Sequence, residues 1–279
     1  MRVGHNPNRN KGADHFEKVV FAVVTHLPER ESAYHKDRME VMQVCLSTMR
    51  DGAELPHTFM VWDNGSCDSF RDWLEWDFKP DIVIKSSNMG KTLARASMIK
   101  MLPPETIVAY SDDDMIFYPG WLQPQIEILE TFPNVSVVSG YPVRTAFRWA
   151  CENTIAWAEK NRKVKKGRFI PREWEDDFCV SIGRDPVWHA TEYTLNDIDY
   201  KVTYKNKEVY LTSHHCQFVG YAGRIAPHLF YDYKAMGDEK PFDVAMDESG
   251  LRLCTTERYA RHMGNKLDDK IRQELMVYA

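Results

Sequence analysis

Lys18 to Pro28 reads KVVFAVVTHLP, a continuous apolar and β-branched run closed by polar residues and a proline. A strand that alternates apolar and polar residues keeps one wet face, whereas a strand without alternation must be covered on both. The run therefore predicts a buried parallel strand with helices packed on each side of its sheet. The next segment, HKDRMEVMQVCLSTMRDG, places Met39, Met42, Leu46 and Met49 at helical spacing and stops at Gly52. HTFMVWDNGS reads as a second strand entering an Asn-Gly turn, and DIVIKSSN as a third. A helix from Lys91 to Met101 then leads to a fourth strand in ETIVAYSDDD. Strand and helix alternate through the whole first half, which predicts βαβ units and an α/β fold with a doubly wound, mostly parallel sheet. Such sheets bind ligands beyond the carboxyl ends of their strands.

Past the short strand at Ser136 to Gly140 the pattern loosens into a Trp- and charge-rich middle, from Arg144 to about Ser213. DYKVTYKNKEVYLTS predicts a hairpin turning near Asn206, SHHCQFVGYAG a strand, FDVAMDESG a short helix, LRLCTTERY a strand and KLDDKIRQELMVYA a terminal helix. No linker separates independent domains. The net charge of -5 excludes a global attraction to nucleic acid or anionic membrane, so any polyanion must bind locally. No apolar run approaches the roughly 20 residues of a membrane span, and the polar opening MRVGHNPNRNKGADHFEK lacks a signal-peptide core, so the expectation is cytoplasmic. Cys45, Cys67, Cys151, Cys179, Cys216 and Cys254 show no metal-ligand spacing and are expected to be reduced.

Chemistry concentrates in YSDDDMIFYPGWL, Tyr110 to Leu122, where Asp112, Asp113 and Asp114 sit between two apolar runs. Like charges at one buried spot repel and are costly to desolvate, so the cluster needs a compensating cation or a solvated turn. Mg²⁺ or Mn²⁺ suits it, because both prefer oxygen ligands and share their shell between carboxylates and substrate phosphates. Thr25 and His26 after the first strand, Asp63 after the second and the three aspartates after the fourth all fall at strand ends, so they can meet in one crevice.

Taken together these segments resemble the family 2 glycosyltransferases of the GT-A (Rossmann-like) fold. The strand into SDDD, with Pro119 and Trp121-Leu122 behind it, is similar to the family's DxD segment, with Asp112 and Asp114 as the outer acids. VWDNGS is similar to the element whose aspartate, here Asp63, contacts the nucleotide base. A residue there also stabilises its own turn. NMGKTLARASM resembles the N-x-G-x-x-x-A-R segment, with Asn88, Gly90, Ala94 and Arg95 in the matching places, and VVTHLPER sits at the first nucleotide loop. The match spans roughly residues 18 to 140 and, more weakly, 215 to 264.

The resemblance implies an N-terminal extension over 1–17, one catalytic domain over 18–264 with a nucleotide-sugar half (18–140) and an acceptor half (141–264), and a C-terminal helix over 265–279. It implies a metal-dependent transfer of a sugar from a nucleoside diphosphate to an acceptor hydroxyl, with inversion. Thr25, His26, Asp63, Asn88, Gly90, Arg95, Asp112 and Asp113 would bind the donor. Asp112, Asp114 and His262, in RYARHMGN, would hold Mn²⁺ or Mg²⁺. The base lies in MGDEKPFDVAMDESGLRL, where spacing back from Gly250 favours Asp238 and Glu239 and leaves Asp243 as a competitor.

KNRKVKKGRFIPR carries Lys160, Arg162, Lys163, Lys165, Lys166, Arg168 and Arg172 with no acid between them. A solvated loop is the favoured reading, and a patch for an anionic acceptor such as nucleic acid the alternative. Trp149, Trp157, Trp174 and Trp188 in the same region belong to the core or stack on sugar or base faces. Two rival functions stand beside transfer. A nucleotidyltransferase would carry a glycine-rich basic loop near its start, which THLPERES lacks, and a non-catalytic nucleotide- or sugar-binding module would have no need of both acidic clusters.

Overall fold

The computed structural model describes residues 4, 17–29, 35–231, 234 and 238–276, so the expected extension over 1–17 and the last residues of the C-terminal helix lie almost wholly or partly outside it. In chain order the first half holds β1 (Val19–Thr25), α1 (Arg38–Asp51), β2 (Thr58–Asn64), α2 (Asp68–Trp73), β3 (Ile82–Ser86), α3 (Lys91–Lys100) and β4 (Ile107–Ser111). Then come β5 (Met115–Phe117), α4 (Leu122–Thr131), β6 (Val135–Ser139), α5 (Glu152–Asn161), β7 (Lys165–Gly167), α6 (Arg172–Ser181) and α7 (Pro186–Trp188). The chain continues through β8 (Asp199–Tyr204), β9 (Lys207–Tyr210), β10 (Gln217–Tyr221), α8 (Ala222–Ile225), α9 (Lys240–Ser249), β11 (Leu251–Thr255), β12 (Ala260–His262) and α10 (Asp269–Leu275).

The main sheet runs β3-β2-β1-β4-β10-β6-β11-β9-β8-β7, and β5 pairs with β12 in a separate small sheet. From β3 to β4 every pairing is parallel. β10 enters antiparallel between β4 and β6, β11 returns parallel to β6, and the far edge is an antiparallel meander. All seven residues of β1 are buried. Val19, Phe21 and Val23 join the core on one face, while Val20, Ala22 and Val24 join the core on the other. That double coverage is what the unalternated sequence demanded, and each valine or phenylalanine among them contributes roughly 1.5–3 kcal/mol when fully buried.

The Trp-rich middle is tied down by buried polar pairs. Arg144 grips Asp199 through two nitrogens at 2.8 and 3.1 Å, and Asp199 also accepts from the backbone N–H groups of Phe169 and Ile170. His189 meets Glu175 at 3.1 Å in a second buried contact. The basic stretch differs from the solvated loop expected of it. Lys165 to Gly167 form edge strand β7 against β8, with Lys165 bound to Glu208 and Lys166 to Glu159, both at 2.7 Å. Lysine is a normal covering for a sheet edge, since it discourages pairing with another chain.

Candidate functional site

Register places the ends of the parallel strands side by side. Thr25 pairs with Asp63, Asn64 with Ser86, and Val23 with Ser111. The residues that follow these ends line one cleft of about 220 Å³: His26, Asn64, Asn88, Lys91 and Asp112 to Asp114, with Arg38 arriving from α1. The cleft opens where the strand order reverses between β1 and β4, the expected ligand position in an open α/β sheet.

Its rim is a closed hydrogen-bond set. His26 Nδ1 lies 3.0 Å from the Asn64 carbonyl, which can only accept, so Nδ1 carries the proton and Nε2 accepts from Asn88 Nδ2 at 3.2 Å. Asn88 Oδ1 in turn accepts from Asn64 Nδ2 and from the Gly90 N–H, both at 3.1 Å. Two glycines allow this closeness. Gly65 has φ +85°, and a Cβ on it would meet the Asn88 nitrogen at 2.7 Å. Gly90, at φ 90°, turns the chain into α3.

The three aspartates have different surroundings. Asp112 accepts from Lys91 Nζ at 2.8 Å and from the Tyr110 hydroxyl at 2.9 Å. Asp113 accepts from Arg38 and, at 3.4 Å, from the His26 N–H, and burial pushes its carboxyl up to about 6 despite Arg38. Asp114 Oδ2 faces Arg38 at 3.3 Å and His262 Nε2 at 3.4 Å. Burial would raise the Asp114 carboxyl, but His262, Arg38 and Lys91 outweigh it and hold it below the usual range. Asp114 Oδ1 is buried with no hydrogen-bond partner among the described residues.

His262 reaches this point through the small sheet. Antiparallel pairing sets it opposite Met115, one residue past Asp114, and the Met263 N–H donates to the Asp114 carbonyl at 2.8 Å. Its Nδ1 contacts Ser181 Oγ at 2.8 Å. Burial lowers the imidazole pKa, but Asp114 prevails and raises it.

Lys91 continues the set away from Asp112, lying 3.0 Å from Glu239 Oε1, while Arg95 Nη2 lies 2.8 Å from Oε2. Burial would raise the Glu239 carboxyl, and the two cations reverse that and keep it ionised. Arg95 Nε and Nη1 lack hydrogen-bond partners among the described residues. Arg95 is 1% exposed, with its guanidinium between the rings of Tyr110 and Phe242 at 5.2 and 4.8 Å.

Not every expected donor contact lines the cleft. Thr25 is buried with its hydroxyl 3.4 Å from the Trp62 carbonyl, and Arg95 lies beneath the surface that Lys91 presents. Asp63 is also buried, its oxygens taken by the Ser66 N–H at 2.8 Å and Arg71 Nε at 2.7 Å. Of the three candidate bases, Asp238 is exposed and accepts from the Lys240 N–H at 3.0 Å. Asp243 is buried between Arg252 at 2.5 Å and His215 at 2.8 Å. Only Glu239 meets Lys91, which links it to Asp112.

Arg38 and Lys91 were missed. Both sit in the first turn of a helix, where a cation opposes the helix dipole, and that misfit is the local signal of a nearby anion.

No helix among the described residues is long and apolar enough to cross a membrane. A search of curated proteins finds no match to this chain. Among solved structures, TarS 1–349 of S. aureus aligns with 89% of this chain at 11% identity and a TM-score of 0.50. GalNAc-T7 in complex with UDP, GalNAc and Mn²⁺ aligns with 88% at 9% identity and a TM-score of 0.52. The chain spans 60% of the first structure and 43% of the second, and at such identities the likeness is one of fold. The glycosyl transferase family 2 profile matches residues 35–184, taking in α1, the Asn88–Arg95 segment and the aspartates, while Glu239 and His262 lie beyond it. That match covers more than half of the residues, and the chain belongs to glycosyl transferase family 2.

Proposed function

We propose that the cleft binds a nucleoside diphosphate sugar together with Mn²⁺ or Mg²⁺, and that the protein transfers the sugar to an acceptor hydroxyl with inversion. The observation that carries this reading is Asp114 Oδ1, a buried carboxylate oxygen without a hydrogen-bond partner among the described residues, on a side chain whose other oxygen lies 3.4 Å from His262 Nε2. A buried acceptor left unsatisfied costs on the order of 1–3 kcal/mol, and more when charged. A hard divalent cation fits this donor set of carboxylate oxygens and one imidazole. Asp114, Asp112 and His262 would hold the ion. When bound, it supplies charge neutralisation for the departing diphosphate.

The chain's own residues do the rest. Lys91, already shared by two carboxylates, has the charge to turn towards phosphate oxygens. The acceptor oxygen attacks the anomeric carbon as the bond from that carbon to the diphosphate oxygen breaks, and the acceptor proton passes to Glu239. Attack opposite the leaving group inverts the anomeric centre. The GalNAc-T7 complex with UDP, GalNAc and Mn²⁺ supports this class of donor.

A panel of UDP- and GDP-sugars tests the reading. With Mn²⁺, one donor at about 100 times its Kd is expected to raise the melting temperature by roughly 5–10 °C, and acceptor-free release of nucleoside diphosphate is expected to need the metal. Pyrophosphate release from a nucleoside triphosphate would instead identify a nucleotidyltransferase. Stabilisation without any turnover would identify a binding module.

Nucleic acid is not the favoured acceptor, because the basic segment spends charge on its own acids. Changing Lys163, Lys165, Lys166 and Arg168 to glutamine is expected to leave the affinity for a labelled single-stranded oligonucleotide weak and little changed. A salt dependence with a log-log slope near -0.7 per phosphate contact, lost in the quadruple variant, would assign this segment to a polyanionic acceptor.

A further inference from the structure

Immediately before β10 the chain places His214, His215 and Cys216 in succession. Each offers one ligand atom, and these three atoms lie within 4.8 Å of one another. Tetrahedral zinc, with Zn–N near 2.0–2.1 Å and Zn–S near 2.3 Å, sets its ligands about 3.3–3.6 Å apart. The trio therefore has to close by about an ångström, which is within the reach of side-chain torsions.

Two neighbours fix the trio from outside. His215 Nδ1 lies 2.8 Å from Asp243 Oδ2, and Arg252 holds the other oxygen of that carboxylate at 2.5 Å. An ionised carboxylate only accepts, so Nδ1 carries the proton and the lone pair of the neutral ring lies on Nε2, which has no hydrogen-bond partner among the described residues. Metal-binding histidines use their two nitrogens in this way, one on the ion and the other donating to a carboxylate or carbonyl. On the opposite side, the Cys216 carbonyl accepts from the Asp112 N–H at 2.8 Å. The trio thus stands between the first turn of α9 and the loop that carries the aspartates.

His214 is buried, and its Nδ1 faces the Cys216 N–H at a long 3.3 Å. Burial, followed by His215 and His262, holds its pKa well below the ordinary imidazole value, so the ring is the neutral ligand that a metal requires. Cys216 is the costlier member, because burial and then Asp112 push its thiol well above the ordinary range. Coordination to zinc removes a thiol proton outright, and the acids that raise the thiol also attract a cation. The cations closest to them are already paired, Lys91 with Asp112 and Arg252 with Asp243. Tyr141 stands edge-on to His214 with ring centroids 5.4 Å apart, and its buried hydroxyl has no hydrogen-bond partner among the described residues. That hydroxyl is available to a water in the fourth position.

We propose that His214, His215 and Cys216 form a zinc site, distinct from the oxygen-rich donor cleft, that pins the start of β10 between α9 and the aspartate loop. Carboxylates suit a hard ion such as Mg²⁺, whereas imidazole and thiolate together select Zn²⁺. Consecutive ligands lack the spacing by which zinc sites are recognised in a sequence. The site does not depend on the glycosyltransferase reading of the cleft.

The test is a titration of metal-depleted protein with Co²⁺ in excess Mg²⁺, which occupies carboxylate sites and leaves thiolates alone. The parent protein is expected to develop a thiolate-to-cobalt charge-transfer band in the near ultraviolet, and added Zn²⁺ to abolish it. Cys216→Ser should lose the band. His215→Ala, at a side chain that is 24% exposed and so tolerant of change, should weaken Zn²⁺ binding by about tenfold or more, and it carries the test if Cys216→Ser melts well below the parent without metal. Zn²⁺ at about 100 times its Kd should raise the melting temperature of the parent by about 5 °C or more and leave that of Cys216→Ser unchanged. Cys67→Ser, which alters the half-buried cysteine among five buried ones, is the control and should keep the band. A parent protein without the band, or a band that survives in Cys216→Ser, overturns the proposal. So does a band lost in Cys67→Ser, or a Zn²⁺ affinity unchanged by His215→Ala.

Discussion

Asp114→Asn is expected to reduce metal-dependent donor hydrolysis and transfer by roughly 10³-fold or more, the largest loss of any single change in the cleft. The asparagine keeps the shape and a carbonyl oxygen but removes the charge, and neither neighbour can replace it. Asp112 is already bound by Lys91 and Tyr110, and Asp113 by Arg38 and the His26 N–H. The fold should survive, because Arg38 keeps Asp113 and His262 keeps Ser181. Thermal melts with and without Mn²⁺ separate the two effects: the variant should melt near the parent temperature without metal and gain nothing when metal is added. Asp113→Asn provides the contrast. Its carboxyl is pushed up to about 6 by burial and serves Arg38, so its replacement should cost less than about tenfold in hydrolysis. Undiminished hydrolysis by a folded Asp114→Asn protein would end the assignment of Asp114 as the principal ligand.

The parts of the fold that were legible in the sequence share a cause. β1, β2 and β4 lie in a layer covered on both faces, and double burial leaves an unbroken apolar run that local reading detects. The placement of His26 and Asp112 to Asp114 in one crevice followed from the strand-end rule, since parallel register brings those ends together, whereas Thr25 and Asp63, expected there by the same rule, are buried away from it. Legibility failed where partners are distant in sequence or where a rule has two outcomes. β7 reads as a loop because an edge strand wears charge. The clamp of Arg144 on Asp199 joins residues 55 apart, and nothing local to either announces it. Asp63 and Arg95 matched family positions, yet their side chains meet Arg71 and Glu239, contacts that only the packing of α2 and α9 creates. Arg38 and Lys91 were detectable as first-turn cations, but the dipole argument predicts an anion nearby without saying which one.

Glu239→Gln is expected to lower transfer by about 10² to 10⁴ while donor binding persists or tightens. The glutamine keeps size and a carbonyl oxygen but cannot take the acceptor proton at neutral pH. It also takes a negative charge from between Lys91 and Arg95, leaving two buried cations undercompensated, and an incoming diphosphate is the anion that can compensate them. Donor affinity measured by titration in Mn²⁺, set beside single-turnover transfer, should therefore move in opposite directions. Asp243→Asn should behave as a structural lesion. Both of its oxygens are occupied, by Arg252 and His215, and breaking a buried ion pair costs about 3–5 kcal/mol, on the order of a 10 °C fall in melting temperature for a chain of this size. Arg252 also holds the carbonyls of Trp149 and Ala150, so that lesion should loosen the turn before α5 as well. If Asp243→Asn were instead to melt like the parent and lose transfer alone, with Glu239→Gln still active, the proton acceptor would be Asp243. Glu239 would then be the counter-ion that keeps Lys91 and Arg95 in place.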